Sequence, residues 1–234
     1  MPATLTRIET SPDYVEQVCA ALVDAISAGH FAPGERLTQE DIARRLSVSR
    51  QPVLQALRLL KRDGLVQDAP GRGVMVTPLD ATTIARVYAV RGVLDALAAK
   101  LAAQQRVVLD PALIAAGRRA VKGRQVQAMI DADLAFHQAI YAASGNPLLA
   151  SSAAVHWLHV RRAMGAVLQR SNLRQTVWDE HEAITKAIAA GRGAEAERLM
   201  AAHTRQAAAH MVEHFTMNTS HASTATETPH ASHA

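Results

Sequence analysis

The sequence predicts a mainly α protein in two parts. A small N-terminal unit sets helices beside a β-hairpin, and a larger all-helical bundle follows. Three observations predict this. Apolar residues recur at helical spacing through most of the 234 residues. The β-prone runs fall in one short stretch, Leu65-Val66-Gln67 and Val74-Met75-Val76, on either side of Ala69-Pro70-Gly71-Arg72-Gly73. Hydrophobic residues make up 49% of the chain but aromatic ones only 3%. The core is therefore expected to be Ala, Leu, Val and Ile, and abundant alanine favours closely packed helices.

Each element has a local cause. Residues 1–11 read as a polar arm. A helix over 13–28 carries Val15, Val18, Cys19, Leu22, Ala25 and Ile26 on one side and stops at Gly29. Phe31-Ala32-Pro33-Gly34 is a turn into Glu35-Arg36-Leu37, a short strand able to join the hairpin. Thr38 followed by Asp41 starts the next helix with a capping box, and Ile42, Ala43 and Leu46 give it a narrow apolar face. Ser47-Val48-Ser49 is a turn, with Ser49 as the N-cap of a third helix and Pro52 in its first turn. Val53, Ala56, Leu57 and Leu60 face inward there, which leaves Arg50, Gln51, Gln55 and Arg58 outside. Gly64 ends the helix in a left-handed conformation. Two short helices, a tight turn and a hairpin make a winged helix-turn-helix over residues 12–78.

The charge of this unit is placed rather than large. Residues 1–78 hold nine basic and nine acidic side chains, yet Arg44 to Arg62 contains six basic residues (Arg44, Arg45, Arg50, Arg58, Lys61, Arg62) and no acid. A helical pair with a one-signed face suits the phosphate-lined grooves of DNA. Arg72, between two glycines at the hairpin tip, can approach a backbone or minor groove closely. The candidate DNA-contacting residues are Arg44, Arg45, Ser49, Arg50, Gln51, Gln55, Arg58 and Arg72.

Beyond Pro78 strand signals cease. Six helical segments are expected within 79–217, at about 80–104, 110–121, 125–144, 147–169, 173–190 and 194–216. Asp110-Pro111, Lys122-Gly123, Ser144-Gly145-Asn146-Pro147, Ser171-Asn172 and Gly191-Arg192-Gly193 separate them. Residues 218–234, mostly Ser, Thr, Ala and His, read as a disordered tail. The single cysteine, Cys19, has no partner for an internal disulfide and is expected to be a small buried hydrophobe. With no long apolar run and no export signal, a soluble cytoplasmic protein is expected.

In the helical part, Asp133 and His137 stand four apart and so share a helix face. His181 lies on a later helix and His203 on the last. One carboxylate and three imidazoles suit zinc, nickel, manganese or a similar divalent ion. Spacing alone does not select them, because the chain has 11 histidines and His156, His159, His210 and His214 also lie on expected helices. The signatures of hydrolases and phosphate-cradling loops are missing, so the reading is not an enzyme. Glu182, beside His181, is the nearest candidate base, and neighbouring helix positions face different ways. A metal-dependent helical hydrolase with a DNA-targeting domain and a metal-sensing regulator are the alternatives.

The N-terminal residues resemble the DNA-binding domain of the GntR family of bacterial transcription regulators. The resemblance rests on Pro33-Gly34-Glu35-Arg36-Leu37, Asp41-Ile42-Ala43, Leu46-Ser47-Val48-Ser49-Arg50, Pro52-Val53, Ala56-Leu57, Leu60, Gly64-Leu65-Val66 and Gly73. Residues 80–217 resemble the FCD ligand-binding domain of the FadR-like branch, in its shorter, VanR-like six-helix version. Arg91, Asp133, Phe136-His137, Gly145-Asn146-Pro147, Glu180-His181 and His203 carry that match.

The resemblance implies that Asp133, His137, His181 and His203 hold a divalent metal that helps bind a small organic acid. It also implies that Arg91 pairs with the effector carboxylate; the other reading of Arg91 is a salt bridge, for instance with Asp95. At Leu54-Gln55 the chain departs from the Arg-Glu usual in the family. The recognition surface is then altered, with Gln55 able to offer its amide to adenine. The whole implies a homodimeric, ligand-responsive repressor that binds an operator in double-stranded DNA and releases it when a small carboxylate binds.

Overall fold

The structure, a computed structural model, describes residues 14–168 and 176–224. The expected arm at 1–11 lies outside them, as do the end of the expected tail, 225–234, and the chain between the fourth and fifth expected helices of the bundle. The chain divides into two compact units. One runs to Ile26 and resumes over Phe31–Thr77; the other takes Ser27–His30 and continues from Pro78.

In the first unit, α1 (Tyr14–Ser27) buries Val18, Leu22, Val23 and Ile26. Cys19 is only half-buried, with its Sγ 3.8 Å from the Ala56 carbonyl oxygen, so the expected full burial is corrected. β1 (Arg36–Leu37) leads into α2 (Gln39–Leu46), whose first turn is closed by Thr38 Oγ1 accepting from the Asp41 amide at 3.3 Å. The helix stops because Ser47 adopts φ 54° and ψ 40°, the left-handed conformation that ends the helical ladder. Leu46, expected on the apolar face, is exposed. α2 is eight residues long and its burial is supplied by Ile42 and Ala43.

α3 (Arg50–Arg62) begins at Ser49, whose backbone takes the extended N-cap conformation while its side chain makes no capping bond. Val53, Ala56, Leu57 and Leu60 are buried as the spacing requires. Gly64, at φ 77°, turns the chain out of the helix. β2 (Val66–Asp68) and β3 (Val74–Val76) form the antiparallel hairpin. β1 adds antiparallel to its other edge, pairing Arg36 with Met75 and giving the order β1-β3-β2.

The second unit consists, among the described residues, of α4 (Ala81–Gln104), α5 (Ala112–Gly123), α6 (Val126–Ala143), α7 (Pro147–Leu168), α8 (Val177–Ala189) and α9 (Gly193–Thr224). Asp80 caps α4, its carboxylate accepting from the Thr83 amide at 2.7 Å. α4 packs along α9 and touches α6, α7 and α8, so it is the central helix. Its Ala98, Ala99, Ala102 and Ala103 are fully buried, and small side chains let the neighbouring helices approach. Gly117 on α5 serves the same end: a Cβ there would lie 1.9 Å from the Trp178 ring. α9 runs to Thr224, past the point at which the sequence reading begins a disordered tail. The alanine-rich stretch before Met217 sustains a 32-residue helix whose final turns need no packing signal of their own.

Candidate functional site

Each unit carries one chemically distinctive surface. On the first, α3, the start of α2 and the hairpin enclose a concavity of about 480 Å³, lined by Arg36, Arg50, Arg58, Lys61 and Arg72 against Glu40 and Asp68. The helix supplies this face because its buried apolar positions, Val53, Ala56, Leu57 and Leu60, are spent inward.

Acids from outside the all-basic stretch fold back onto it. Asp41 pairs with Arg44 and, at 2.8 Å, with Arg45; Glu40 reaches Arg50 at 3.1 Å, Asp68 reaches Lys61 at 2.7 Å and Asp63 reaches Arg62 at 2.9 Å. All are surface pairs of small individual worth, so a phosphate can displace the carboxylate at modest cost. Arg58 and Arg72 make no ion pair among the described residues and are exposed. With Arg36, exposed and likewise without an ion pair among the described residues, they are the cations this surface offers without prior exchange. Gln51 is exposed and Gln55 half-buried on the same helix.

The second surface is internal. Asp133 and His137 on α6, His181 on α8 and His203 on α9 are all buried, and one ligand atom from each lies within 4.8 Å of the others. The i,i+4 spacing puts the first two on one face, and α8 and α9 bring the other two to it. His181 Nε2 is 3.2 Å from His203 Nε2 and 3.5 Å from Asp133 Oδ1. The His181 ring is held by Phe136, stacked with centroids 3.9 Å apart, and by the edge of Trp178 at 4.6 Å. His203 is turned by Glu180, whose Oε2 accepts from Nδ1 at 2.8 Å and leaves Nε2 bare toward the cluster. Four-coordinate zinc with bonds near ~2 Å needs donors roughly 3.3 Å apart. The His181–His203 and His181–Asp133 separations match that, and one carboxylate with three imidazoles is a donor set that fits a divalent ion.

Arg91 on α4 completes the cluster. Only 1% exposed, it sits with Nε 3.1 Å from Asp95 Oδ2 and donates from Nη2 to His137 Nε2 at 2.9 Å. Its guanidinium lies over Trp157, 4.0 Å from the ring centroid. Asp95 is steadied in turn by Tyr141, which donates its hydroxyl hydrogen to Oδ1, and the Tyr141 oxygen accepts from Trp157 Nε1 at 3.1 Å. An arginine only donates, so His137 Nε2 is an acceptor and its proton belongs on Nδ1. Of the two expected readings of Arg91, the structure contains the pair with Asp95; the arginine also lines an adjoining cavity.

Burial sets the protonation states. Loss of solvent, then the nearby Arg91, His203 and His181, hold His137 well below the usual imidazole range, so it stays neutral. Burial raises Asp133, and Arg91 and His203 oppose that rise. Arg91 itself loses solvent, but Asp95, Tyr88 and Asp133 outweigh that loss and keep it firmly charged.

An enclosed cavity of about 50 Å³ adjoins the cluster, with Arg91, Asp133 and His203 on one wall and Tyr88, Trp178 and Met211 among the rest. Spacing pairs Asp133 with His137, and the family resemblance adds His181, His203 and Arg91. Spacing gives no signal for Tyr141, Trp157 or Trp178, which are single aromatics on separate helices. His156, His159 and His214 stay outside the four-residue cluster, whereas His210 lines the cavity.

A winged DNA-reading unit joined to a helical unit with a buried cluster of charged and imidazole side chains beside a small cavity defines a ligand-responsive DNA-binding regulator. The comparisons agree. Residues 14–76 match the family described as "Bacterial regulatory proteins, gntR family", and residues 86–206 match the FCD domain. The HTH-type transcriptional regulator LutR of Bacillus subtilis is 31% identical over 202 residues, 76% of this chain and 92% of that protein. A transcriptional regulator from an unstable DNA locus of Streptomyces ambofaciens is 31% identical over 180 residues, 75% of each chain. Among solved structures, E. coli McbR/YncC shares the fold with a TM-score of 0.76 at 21% identity, covering 88% of this chain and all of that one. A GntR regulator from Rhodococcus sp. RHA1 gives 0.71 at 25% identity over 86% and 99% of the two chains. The chain belongs to the GntR family of transcription regulators and carries an FCD effector-binding domain.

The Arg91–Asp95 pair yields a direct expectation. Asp95→Asn leaves the guanidinium buried without its countercharge, which costs on the order of 3 kcal/mol. Urea denaturation of the helical unit should register that loss. A change below about 0.5 kcal/mol, the size of an ordinary surface substitution, would contradict the role given to the pair.

Proposed function

We propose that this chain is a cytoplasmic, homodimeric repressor whose operator binding is released by a small carboxylate held at a metal-containing cavity. The observation that carries the proposal is the burial of Asp133, His137, His181, His203 and Arg91 in one cluster of the effector domain, with Arg91, Asp133 and His203 on the wall of an adjoining cavity. Such a set is expensive to bury and is retained where it binds something.

Asp133 and the three imidazoles would hold a divalent ion of the zinc, nickel or manganese type. When bound, the ion supplies a Lewis-acid centre that draws a carboxylate oxygen. Glu180 keeps His203 in the ligating tautomer. Arg91 has to release His137 Nε2 before that nitrogen ligates, and its guanidinium then becomes available to the effector carboxylate. The effector changes DNA affinity only by its differential affinity for the DNA-competent and incompetent states.

The site reads as binding rather than catalytic. Glu182, the acid next to His181, lies on the surface and pairs with Arg118 at 2.7 Å and Lys186 at 2.8 Å. For the dimer, α4 and α9 present an apolar groove of about 690 Å³ lined by Ala89, Val93, Leu97, Ala208 and Val212, with Val93 68% exposed. A second copy across this face gives two-fold symmetry, matched by a near-palindromic operator.

On DNA, α3 enters the major groove, and Arg44, Arg45, Ser49, Arg50, Gln51, Gln55, Arg58 and Arg72 make the contacts. Arg58→Ala should weaken operator binding and reduce the slope of log K against log salt by about one unit. An unchanged slope removes Arg58 from the phosphate contacts. The effector half has its own test: thermal-shift and operator-binding assays of the zinc-loaded chain against a series of small carboxylates. At least one acid should both raise the melting temperature by mass action and weaken operator binding. A series in which no acid does both contradicts the proposal.

A further inference from the structure

Leu54 is the large apolar residue set among the cations of the recognition face. It stands on α3 one turn after Arg50 and one turn before Arg58, and all three line the same concavity as Arg72 on the hairpin. It does not complete the core. Val53 and Ala56 are fully buried and Leu57 nearly so, while Leu54 is only half-buried and keeps part of its surface toward the concavity. Its neighbours on the outer face, Gln51 and Gln55, offer amides, while Arg50 and Arg58 offer guanidinium groups and Lys61 an ammonium.

A leucine in that place cannot pair with a phosphate and cannot donate to or accept from a base edge. What it can do is exclude water over an apolar group. The major groove of B-DNA presents one such group, the C5-methyl of thymine; guanine, adenine and cytosine offer hydrogen-bonding atoms instead.

We infer that Leu54 is a specificity-determining residue that packs on a thymine methyl in each operator half-site, with Arg50 and Arg58 reaching toward the DNA one turn to either side. The inference rests on the docking of α3 in the major groove proposed above. It adds that base preference at the middle of the half-site is set by apolar contact rather than by hydrogen bonds.

The test uses the full chain and duplexes it selects from a random-sequence pool. Each thymine of the selected half-site is replaced, one at a time, by deoxyuridine, which leaves pairing intact and removes only the methyl. At one position per half-site the affinity should fall about fourfold, the worth of one buried methyl group. In Leu54→Ala the same replacement should cause no further loss, because methyl and side chain form one coupled pair. The inference is overturned if every deoxyuridine is tolerated, if the selected site holds no thymine, or if Leu54→Ala retains the full methyl dependence. Failure of the chain to select any sequence would overturn the docking of α3 itself, a separate result.

Discussion

A fully charged guanidinium sits inside the helical unit, and the rest of that unit is arranged around it. Arg91 is 1% exposed on the central helix α4. A charge taken out of water costs several kcal/mol unless it is paired and hydrogen-bonded. Asp95 one turn away supplies the countercharge, Trp157 a π face and His137 an acceptor, each from a different position around the arginine. Tyr141 then donates to Asp95 Oδ1 and itself accepts from Trp157 Nε1. The alanines of α4 and the notch at Gly117 let α5, α8 and α9 close over this centre. Replacing such a polar centre with well-packed hydrophobic residues is often neutral or stabilising, so its presence points to a ligand rather than to stability.

The DNA-reading unit follows a different economy. Its basic and acidic side chains balance, and most of its recognition-face cations already hold a carboxylate. The effect is to moderate non-specific attraction to DNA, which grows with every uncompensated cation. In the DNA complex proposed above, binding would exchange one anion for another at Arg44, Arg45, Arg50 and Lys61, whereas Arg36, Arg58 and Arg72 would add net charge neutralisation. In that proposed complex, specificity would fall to the groups between them, the amides of Gln51 and Gln55 and the apolar Leu54.

Much of this was legible in the sequence because it is local. The Thr38–Asp41 cap, the Ser47 turn, the inward Val53-Ala56-Leu57-Leu60 stripe and the hairpin depend on neighbours within a few residues, and periodicity or turn chemistry encodes them. Asp133 and His137 were legible for the same reason. The approach of His181 to His203 links two helices across 22 positions and leaves no periodic trace; the resemblance, rather than the spacing, brought them together. The back-folding of Glu40, Asp41 and Asp68 onto the basic stretch was hidden because a linear charge run does not reveal what lies opposite it in space. The network of Asp95, Tyr141 and Trp157 was hidden too, since each residue alone reads as an ordinary core or surface position. Leu46 and the far end of α9 depart from the sequence reading because burial and helix length are decided by packing and by the next breaker, not by hydropathy at one site.

The central claim is that the buried carboxylate and imidazoles of the effector domain form one divalent-metal site. X-ray absorption at the zinc edge of the zinc-loaded full chain tests it most directly. The account predicts a first shell of nitrogen and oxygen near ~2.0 Å with the outer-shell scattering of three imidazoles. A spectrum with at most one imidazole, or with a shell made of water alone, would contradict it.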